Sequence, residues 1–478
     1  MSTSDIAVLR GSLAIFVLIP TSAVSTRGLL AATAGNGTTM ANQERVPRVL
    51  ILGAGYAGLY AACRLQSKLR SDEASVTVVD PRPYMTYQSL LPEAGAGTVE
   101  PRHVVAPLRA LLPKCQVLSG HVIDIDPEGR SVTVRMPDEN IEHLGYDLLV
   151  LSVGSVSKVF PVPGLADQAV GFSTLEEAVY LRNHVLSRLD QAASTLDPER
   201  RAKFLTFMFV GGGFAGIEAL GEIEDMARFA VRRYYPAIDP SEMRWVLVEA
   251  ADRIMPEVSR SLADYAVEVL RQRGIDIRME TMVDSLEDGH VALSDGTEFD
   301  AGTVVWTTGV EPEPVVSTSV LPQDSLGRVA CLPSLQVEGW PAIFAAGDCA
   351  AIPDPAGDEP DATCPPTAQH AVRQGKLVAD NIRAVLRGKR IRRFTYRSPG
   401  SVATLGLHQG VAEVYGWRLK GWPAWALHRA YHLSQLPTAN RKARVLADWL
   451  LDAGFPRQAV ALGELHAPRR EFVEQARR

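Results

Sequence analysis

The sequence predicts an α/β fold: two Rossmann-like dinucleotide-binding domains, the first discontinuous with the second inserted into it, then a C-terminal amphipathic helical section. Three observations predict it. A glycine-rich turn between an apolar run and a helical repeat occurs twice, a third apolar run ends in Gly-Asp, and tryptophan and basic residues gather toward the C-terminus. The composition fits: 478 residues, 46% hydrophobic and 22% charged, exclude a disordered, collagenous or coiled-coil chain. That length suggests roughly three domains.

Residues 1–45 read as a disordered or signal-like extension. Leu13–Ile19 is an apolar run behind a lone Arg10, and Ala32-Thr33-Ala34 offers a cleavage site. The run is far shorter than the about 20 residues that span a bilayer. Met40, shortly before the first strand, is an alternative natural start.

Val49–Leu52 then leads into Gly53-Ala-Gly55-Tyr-Ala-Gly58, and Leu59, Ala62, Leu65 and Leu69 repeat at helical spacing. Val76–Val79 forms the next strand and ends at Asp80, 22 residues past Gly58. A lone GxGxxG is a weak signal, but strand, turn, helix, strand and acid together specify a dinucleotide site. Gly53 permits the turn, Gly55 lets a pyrophosphate approach the backbone, Gly58 lets helix and strand pack, and Asp80 accepts from a ribose hydroxyl.

The pattern recurs. Phe204–Val210 leads into Gly211-Gly-Gly213-Phe-Ala-Gly216, a long helical stretch follows, and Arg244–Val248 ends at Glu249. Here the acid lies 33 residues past Gly216, because the helix and loop over 217–243 are extended. An acid at Glu249 favours a free 2′-hydroxyl and hence NADH, although Arg253 nearby in sequence could accept a 2′-phosphate. A third signal is Ala342–Ala346 followed at once by Gly347-Asp348, where flavoproteins with two dinucleotide sites place an acid on the ribitol chain.

The five cysteines (Cys63, Cys115, Cys331, Cys349, Cys364) include no CxxC pair, which argues against a zinc ribbon, any other metal site, and a close-spaced redox dithiol. The net charge of -6 hides an asymmetry: residues 387–478 carry 17 Lys+Arg against 6 Asp+Glu. Such a basic section suits a polyanionic surface.

The motifs GAGYAG (53–58), GGGFAGIE (211–218), VWTTGV (305–310), FAAGDCA (344–350) and PPTAQHA (365–371) resemble the two-dinucleotide-binding flavoprotein reductases. Most closely the chain resembles type II NADH dehydrogenase, the single-chain NADH:quinone oxidoreductase, from Arg48 to about Arg457. The resemblance implies an FAD-binding domain over 46–160 and 301–390, an NADH-binding domain over 161–300, and a membrane-associating section over 391–478. It implies non-covalent FAD on Gly53, Gly55, Gly58, Asp80, Gly347 and Asp348, and NADH on Gly211, Gly213, Gly216 and Glu249. Gly309 would line the contact between the halves. Glu218 matches a carboxylate at the nicotinamide–flavin contact, the other reading being a first-turn acid that complements the helix dipole. Gln369 matches a glutamine beside the quinone, the other reading being a polar cap on a helix begun by Pro365-Pro366. In one departure, the family's AQxAxQQ reads AQHAVRQ here, with Arg373 in place of a glutamine.

Trp417, Trp422, Trp425 and Trp449 fall in the basic section. Ala424, Leu427 and Tyr431 would share one helical face, and Val445, Leu446, Trp449 and Leu450 another, behind Arg441, Lys442 and Arg444. Basic residues beside Trp and Leu describe a helix lying in a lipid interface. The expected protein is a peripheral enzyme at the cytoplasmic face of the cell membrane, with a homodimer also open and no nucleic-acid partner. It would pass a hydride from NADH to FAD and two electrons to quinone without proton pumping. The rivals are a sulfide:quinone or ferredoxin-type reductase of the same fold, with Cys349 and Cys364 near the flavin, or a nucleotide-sensing flavoprotein without turnover.

Overall fold

The computed structural model describes residues 46–357, 362–457 and 459–461, with 473, 475 and 476. The expected extension over 1–45 lies outside them. In chain order the elements that matter begin with β1 (Arg48–Leu52), α1 (Tyr56–Lys68), β2 (Ser75–Asp80), the short α2 (Leu91–Gly95), β3 (Gln116–Ser119) and β4 (Leu148–Leu151). Next come β5 (Ala169–Gly171), β6 (Thr206–Val210), α3 (Phe214–Tyr234), β7 (Arg244–Val248), β8 (Ile275–Arg278) and β9 (Thr303–Trp306). Then follow β10 (Gln336–Val337), β11 (Trp340–Ala345), α4 (Ala368–Leu386), β12 (Gly400–Thr404), β13 (Gly410–Val414), β14 (Trp417–Lys420), α5 (Trp422–Gln435) and α6 (Ala439–Gly454).

Two sheets organise the chain. The first runs β10-β11-β4-β1-β2-β3 and is parallel except for the β10–β11 hairpin. The second runs β5-β9-β6-β7-β8 and is parallel throughout. Because β11 returns to the first sheet after the second is complete, the first unit is discontinuous and the second is inserted. The second sheet extends past the boundary placed at residue 300, since the buried Thr303–Trp306 run pairs with β6.

Parallel strands covered on both faces read as unbroken apolar runs. In β6, Phe207 and Phe209 enter the main core, while Met208 and Val210 enter a smaller cluster on the opposite face with Val246, Val248 and Trp306. Helix α4 lies against α1 so closely that a Cβ on Gly375 would stand 2.1 Å from the Ala57 carbonyl oxygen.

The C-terminal section is a three-stranded antiparallel sheet, β12-β13-β14, with α5 and α6 following it. It corrects two helix faces. The buried stripe of α5 is Ala424, His428 and His432, one residue round from the apolar face expected. On α6, Val445 and Trp449 point inward and Leu446, Leu450 and Leu451 outward. Trp449 turns inward because its indole N–H meets a buried carboxylate, Glu93, at 2.6 Å.

Candidate active site

At the first glycine turn, the Gly53 N–H donates to the Val79 carbonyl at 2.8 Å, which pins the turn to the end of β2. A Cβ on Gly58 would fall 1.8 Å from the Gly53 oxygen, so only glycine lets α1 start here. Gly55 caps α1 without a side-chain hydrogen bond, and a Cβ there would meet nothing within 4 Å. The helix start therefore faces open space with unpaired N–H groups, the arrangement that binds a phosphate. Asp80 Oδ2 accepts from the Ala54 N–H at 2.6 Å and Oδ1 from the Arg82 N–H at 2.8 Å. A carboxylate has about four lone-pair positions, so each oxygen keeps one for a ribose diol. Burial raises the Asp80 carboxyl above the usual carboxylate range.

The second turn repeats these parts. Gly211 N–H donates to Val248 at 2.8 Å, and a Cβ on Gly216 would fall 2.2 Å from the Gly211 oxygen. Gly213 caps α3 with no side-chain bond and nothing within 4 Å of a Cβ. Glu249 Oε2 accepts from Gly212 N–H at 2.5 Å and Oε1 from Ala251 N–H at 2.8 Å. Arg253 is occupied: its Nη2 donates to the carbonyls of Met255, Pro256 and Val258 at 3.2, 3.2 and 2.5 Å. That Nη2 therefore serves the backbone of its own loop.

Each turn also carries a hydroxyl that sequence inspection missed. Ser152 Oγ donates toward the carbonyls of Leu52 and Gly53 (2.8 and 3.0 Å), and Thr307 Oγ1 does the same for Val210 and Gly211 (2.8 and 3.2 Å). Both residues directly follow a parallel strand beside the glycine strand, β4 or β9. Aligning the two repeats beyond their glycines would have found them.

A cleft of about 1010 Å³ runs from Gly53–Ala57 and Asp80 past Gly347 and Asp348 to Phe214, Ala215 and Glu218 on α3. Gly347 and Asp348 are placed by α4: Gln374, buried, accepts from the Gly347 N–H at 2.8 Å. Asp348 Oδ2 accepts from Ser155 Oγ at 3.1 Å, and burial raises its carboxyl. Gly309, at φ +110°, stands where the chain crosses between the units, and its neighbour Val310, not Gly309 itself, lines the cleft.

Glu218 lies beyond the first turn of α3, and the dipole reading does not describe it. Its Oε1 accepts from the Thr404 N–H at 3.0 Å and lies 3.0 Å from His428 Nε2. Burial raises the carboxyl to about 7. Gln369 is not a helix cap. That role belongs to Thr367, whose side chain accepts from His370 N–H, and both prolines precede the helix. Gln369 Nε2 donates to the Gly400 carbonyl at 3.1 Å and Oε1 accepts from Tyr396 O–H at 2.7 Å. It stands behind the cleft wall formed by Ala368 and Ala371. Arg373 is exposed, with its guanidinium 4.0 Å over the Tyr396 ring and donating to the Gln369 carbonyl at 2.9 Å.

All five cysteines are free, and burial pushes the Cys349 and Cys364 thiols up to about 12. A protonated thiol is a poor nucleophile, so neither buried cysteine is set up to attack. Cys364, Asp354 and His370 bring their donor atoms within 4.8 Å of one another.

The pyridine nucleotide-disulphide oxidoreductase family model matches residues 47–375. A type II NADH:quinone oxidoreductase of Staphylococcus aureus is 33% identical over 379 residues, covering 78% of this chain and 91% of that protein. The type II NADH:quinone oxidoreductase Ndh of Mycobacterium tuberculosis is 30% identical over 423 residues, covering 86% and 88%. Among solved structures, NDH2 from Plasmodium falciparum in complex with NADH superposes with a TM-score of 0.80 at 18% identity, covering 87% of this chain and all of that one, a likeness of fold.

Proposed function

The chain belongs to the type II NADH:quinone oxidoreductases of the pyridine nucleotide-disulphide oxidoreductase family, and we propose that its first glycine turn holds FAD and its second NADH. The enzyme oxidises NADH and reduces quinone without pumping protons. When bound, the flavin supplies the two-electron chemistry between them. The observation that carries the assignment of residues is the single cleft joining Gly53–Ala57 and Asp348 to Glu218 on the helix of the second turn. In it Asp80 and Asp348 would take hydroxyls of the flavin nucleotide and the start of α1 its pyrophosphate, while Glu249, at the second turn, would take the NADH ribose. Glu218 reaches the zone where the two rings meet, and Gln369 fixes the wall beside the acceptor. The protein's part would be to hold the two rings in register, since orientation of this kind supplies much of such a rate.

The acceptor reaches this site from a membrane surface. No helix among the described residues is long and apolar enough to cross a bilayer. The C-terminal section nevertheless exposes Tyr415 (82%), Trp417 (77%), Leu450 (66%) and Phe455 (68%). We place lipid there rather than a second copy of the chain, because the same section carries Arg441, Lys442 and Arg444 on α6, and each basic residue near an anionic leaflet contributes about 1 kcal/mol. The enzyme is then peripheral, at the cytoplasmic leaflet.

Two experiments test the reading. NADH-reduced protein mixed anaerobically with a panel of quinones should regain its yellow colour, and no recovery with any quinone overturns the acceptor. Replacing Leu446, Leu450 and Leu451 with glutamine should release folded, yellow protein from anionic vesicles, and unchanged vesicle binding overturns the membrane face.

A further inference from the structure

The inner face of α3 is unusual in what it buries. Glu218 and Glu222 are buried there one helical turn apart, and Glu93 of α2 approaches the same face. From α5 come His428, Arg429 and His432, from α6 Trp449 and Asp452, and from beyond α6 Arg457. Glu93 accepts from Trp449 Nε1, and Arg429 Nε lies 3.4 Å from Glu93 Oε1 with its guanidinium over the Trp425 and Trp449 rings. Arg457 pairs with Asp452 at 3.3 Å, with both side chains largely buried at the edge of the cluster. Arg273 satisfies Glu224 and Asp225 on the far side.

The central atoms are not satisfied by protein. Glu93 Oε1, Glu222 Oε2, both ring nitrogens of His428, Trp425 Nε1, Arg429 Nε and Nη2 and Arg457 Nη2 are buried without a hydrogen-bond partner. His428 Nε2 nevertheless stands 3.0 Å from Glu218 Oε1. Buried polar groups left without a partner are costly, and this many around one buried cluster call for internal water. Tyr87 O–H lies 3.0 Å from His432 Nδ1, and burial keeps the phenol protonated and both imidazoles neutral. This hydrogen bond between the Tyr87 hydroxyl and Nδ1 fixes the His432 ring, which packs edge-on to His428 at 4.4 Å.

Resting on the function proposed above, we propose that these groups form a hydrated proton relay: a proton entering beside Asp452 and Arg457 passes through the Glu93–Glu222 cluster and His428 to Glu218 at the cleft. The stoichiometry requires such a supply. NADH gives up two electrons and one proton as a hydride, a quinol takes two electrons and two protons, and the second proton comes from water. His428 can accept on one ring nitrogen and release from the other, and Glu218 then gives and regains one proton per turnover. His432 and Tyr87 are positioning residues.

The test uses the flavin-loaded His428→Ala and His428→Asn proteins, the second guarding against a folding defect because it conserves polarity. Bleaching by NADH should be unchanged, while reoxidation by quinone slows at least tenfold, acquires a solvent deuterium isotope effect above 2, and recovers when imidazole is added to the alanine variant. Independently of activity, an infrared titration of the oxidised proteins should show the Glu218 carboxyl titrating near pH 7 in the parent and at a displaced pH in both variants. Wild-type reoxidation, isotope effect and carboxyl titration in both variants would overturn the relay. Failure of NADH to bleach the parent would instead overturn the functional reading beneath it.

Discussion

The two glycine turns are built from the same parts and do different work. Each has a turn glycine bonded to the next strand, a hydroxyl over two carbonyls, and an acid held by two backbone N–H groups. Yet only the first turn, Gly53–Ala57, lies in the wall of the cleft, whereas the second contributes the helix residues that follow it. Their helices differ too. The inner face of α1 is wholly apolar, Ala57, Leu59, Ala61, Ala62 and Leu65, while that of α3 carries Glu218 and Glu222. The two turns share one phosphate-binding geometry, and their surroundings differ in the way the proposed assignment needs: the first lies in the cleft wall, and the second is followed by acid–base groups.

The sharpest way to break this contrast is a matched pair of substitutions. Neither Gly55 nor Gly213 has anything within 4 Å of a Cβ, so a valine fills ligand space without disturbing the fold. Gly55→Val should yield folded but colourless protein with activity down more than a hundredfold. Gly213→Val should stay yellow and raise the KM for NADH about tenfold or more, roughly 1.4 kcal/mol per decade. Flavin absorbance per chain and initial rates decide, and equal flavin loss in both would erase the distinction.

A smaller effect separates the acids at α3 from those at the turns. Burial raises Glu222 from 4.5 to about 7. A carboxyl raised in the folded state stabilises it below the unfolded value, and that contribution is lost as pH rises through the folded one. The parent should therefore lose stability between about pH 4.5 and 7, and Glu222→Gln should gain on it across that window by about 1–3 kcal/mol. Denaturant midpoints at pH 5 and pH 8 measure this, and a constant difference would contradict it.

Coenzyme preference comes next. Glu249→Ala should lower the NADH-over-NADPH ratio of kcat/KM about tenfold, worth about 1.4 kcal/mol. Arg253→Leu should leave that ratio unchanged, because the guanidinium serves backbone carbonyls. Smallest of all, Ser152→Ala and Thr307→Val should each cost about 1 kcal/mol of stability through one lost hydrogen bond. Similar losses in both variants would support equivalence of the repeats.

What was legible in the sequence was what short-range rules govern. The strand–glycine–helix units, their terminal acids and the Gly-Asp strand depend on spacing along the chain, and the structure has these elements where spacing put them. The C-terminal faces were not legible. Hydropathy placed Leu427 and Tyr431 with Ala424, but His428 and His432 are buried because Tyr87 and α3, more than a hundred residues upstream, supply their surroundings. Trp449 looked like a lipid anchor and proved to be the donor to Glu93 for the same reason. Ser152, Thr307 and Gln374 were missed because a lone hydroxyl or amide has no pattern until the strand or helix beside it is known. Arg373 stood out by sequence, and the structure places it over Tyr396, bonded to the Gln369 backbone.

The most direct measurement is anaerobic stopped-flow mixing of the purified yellow protein with NADH. One flavin per chain should bleach at a rate no slower than turnover, with NADPH much slower. A colourless protein, or a yellow one that NADH leaves unchanged, would contradict the claim that the two turns present their nucleotides to each other.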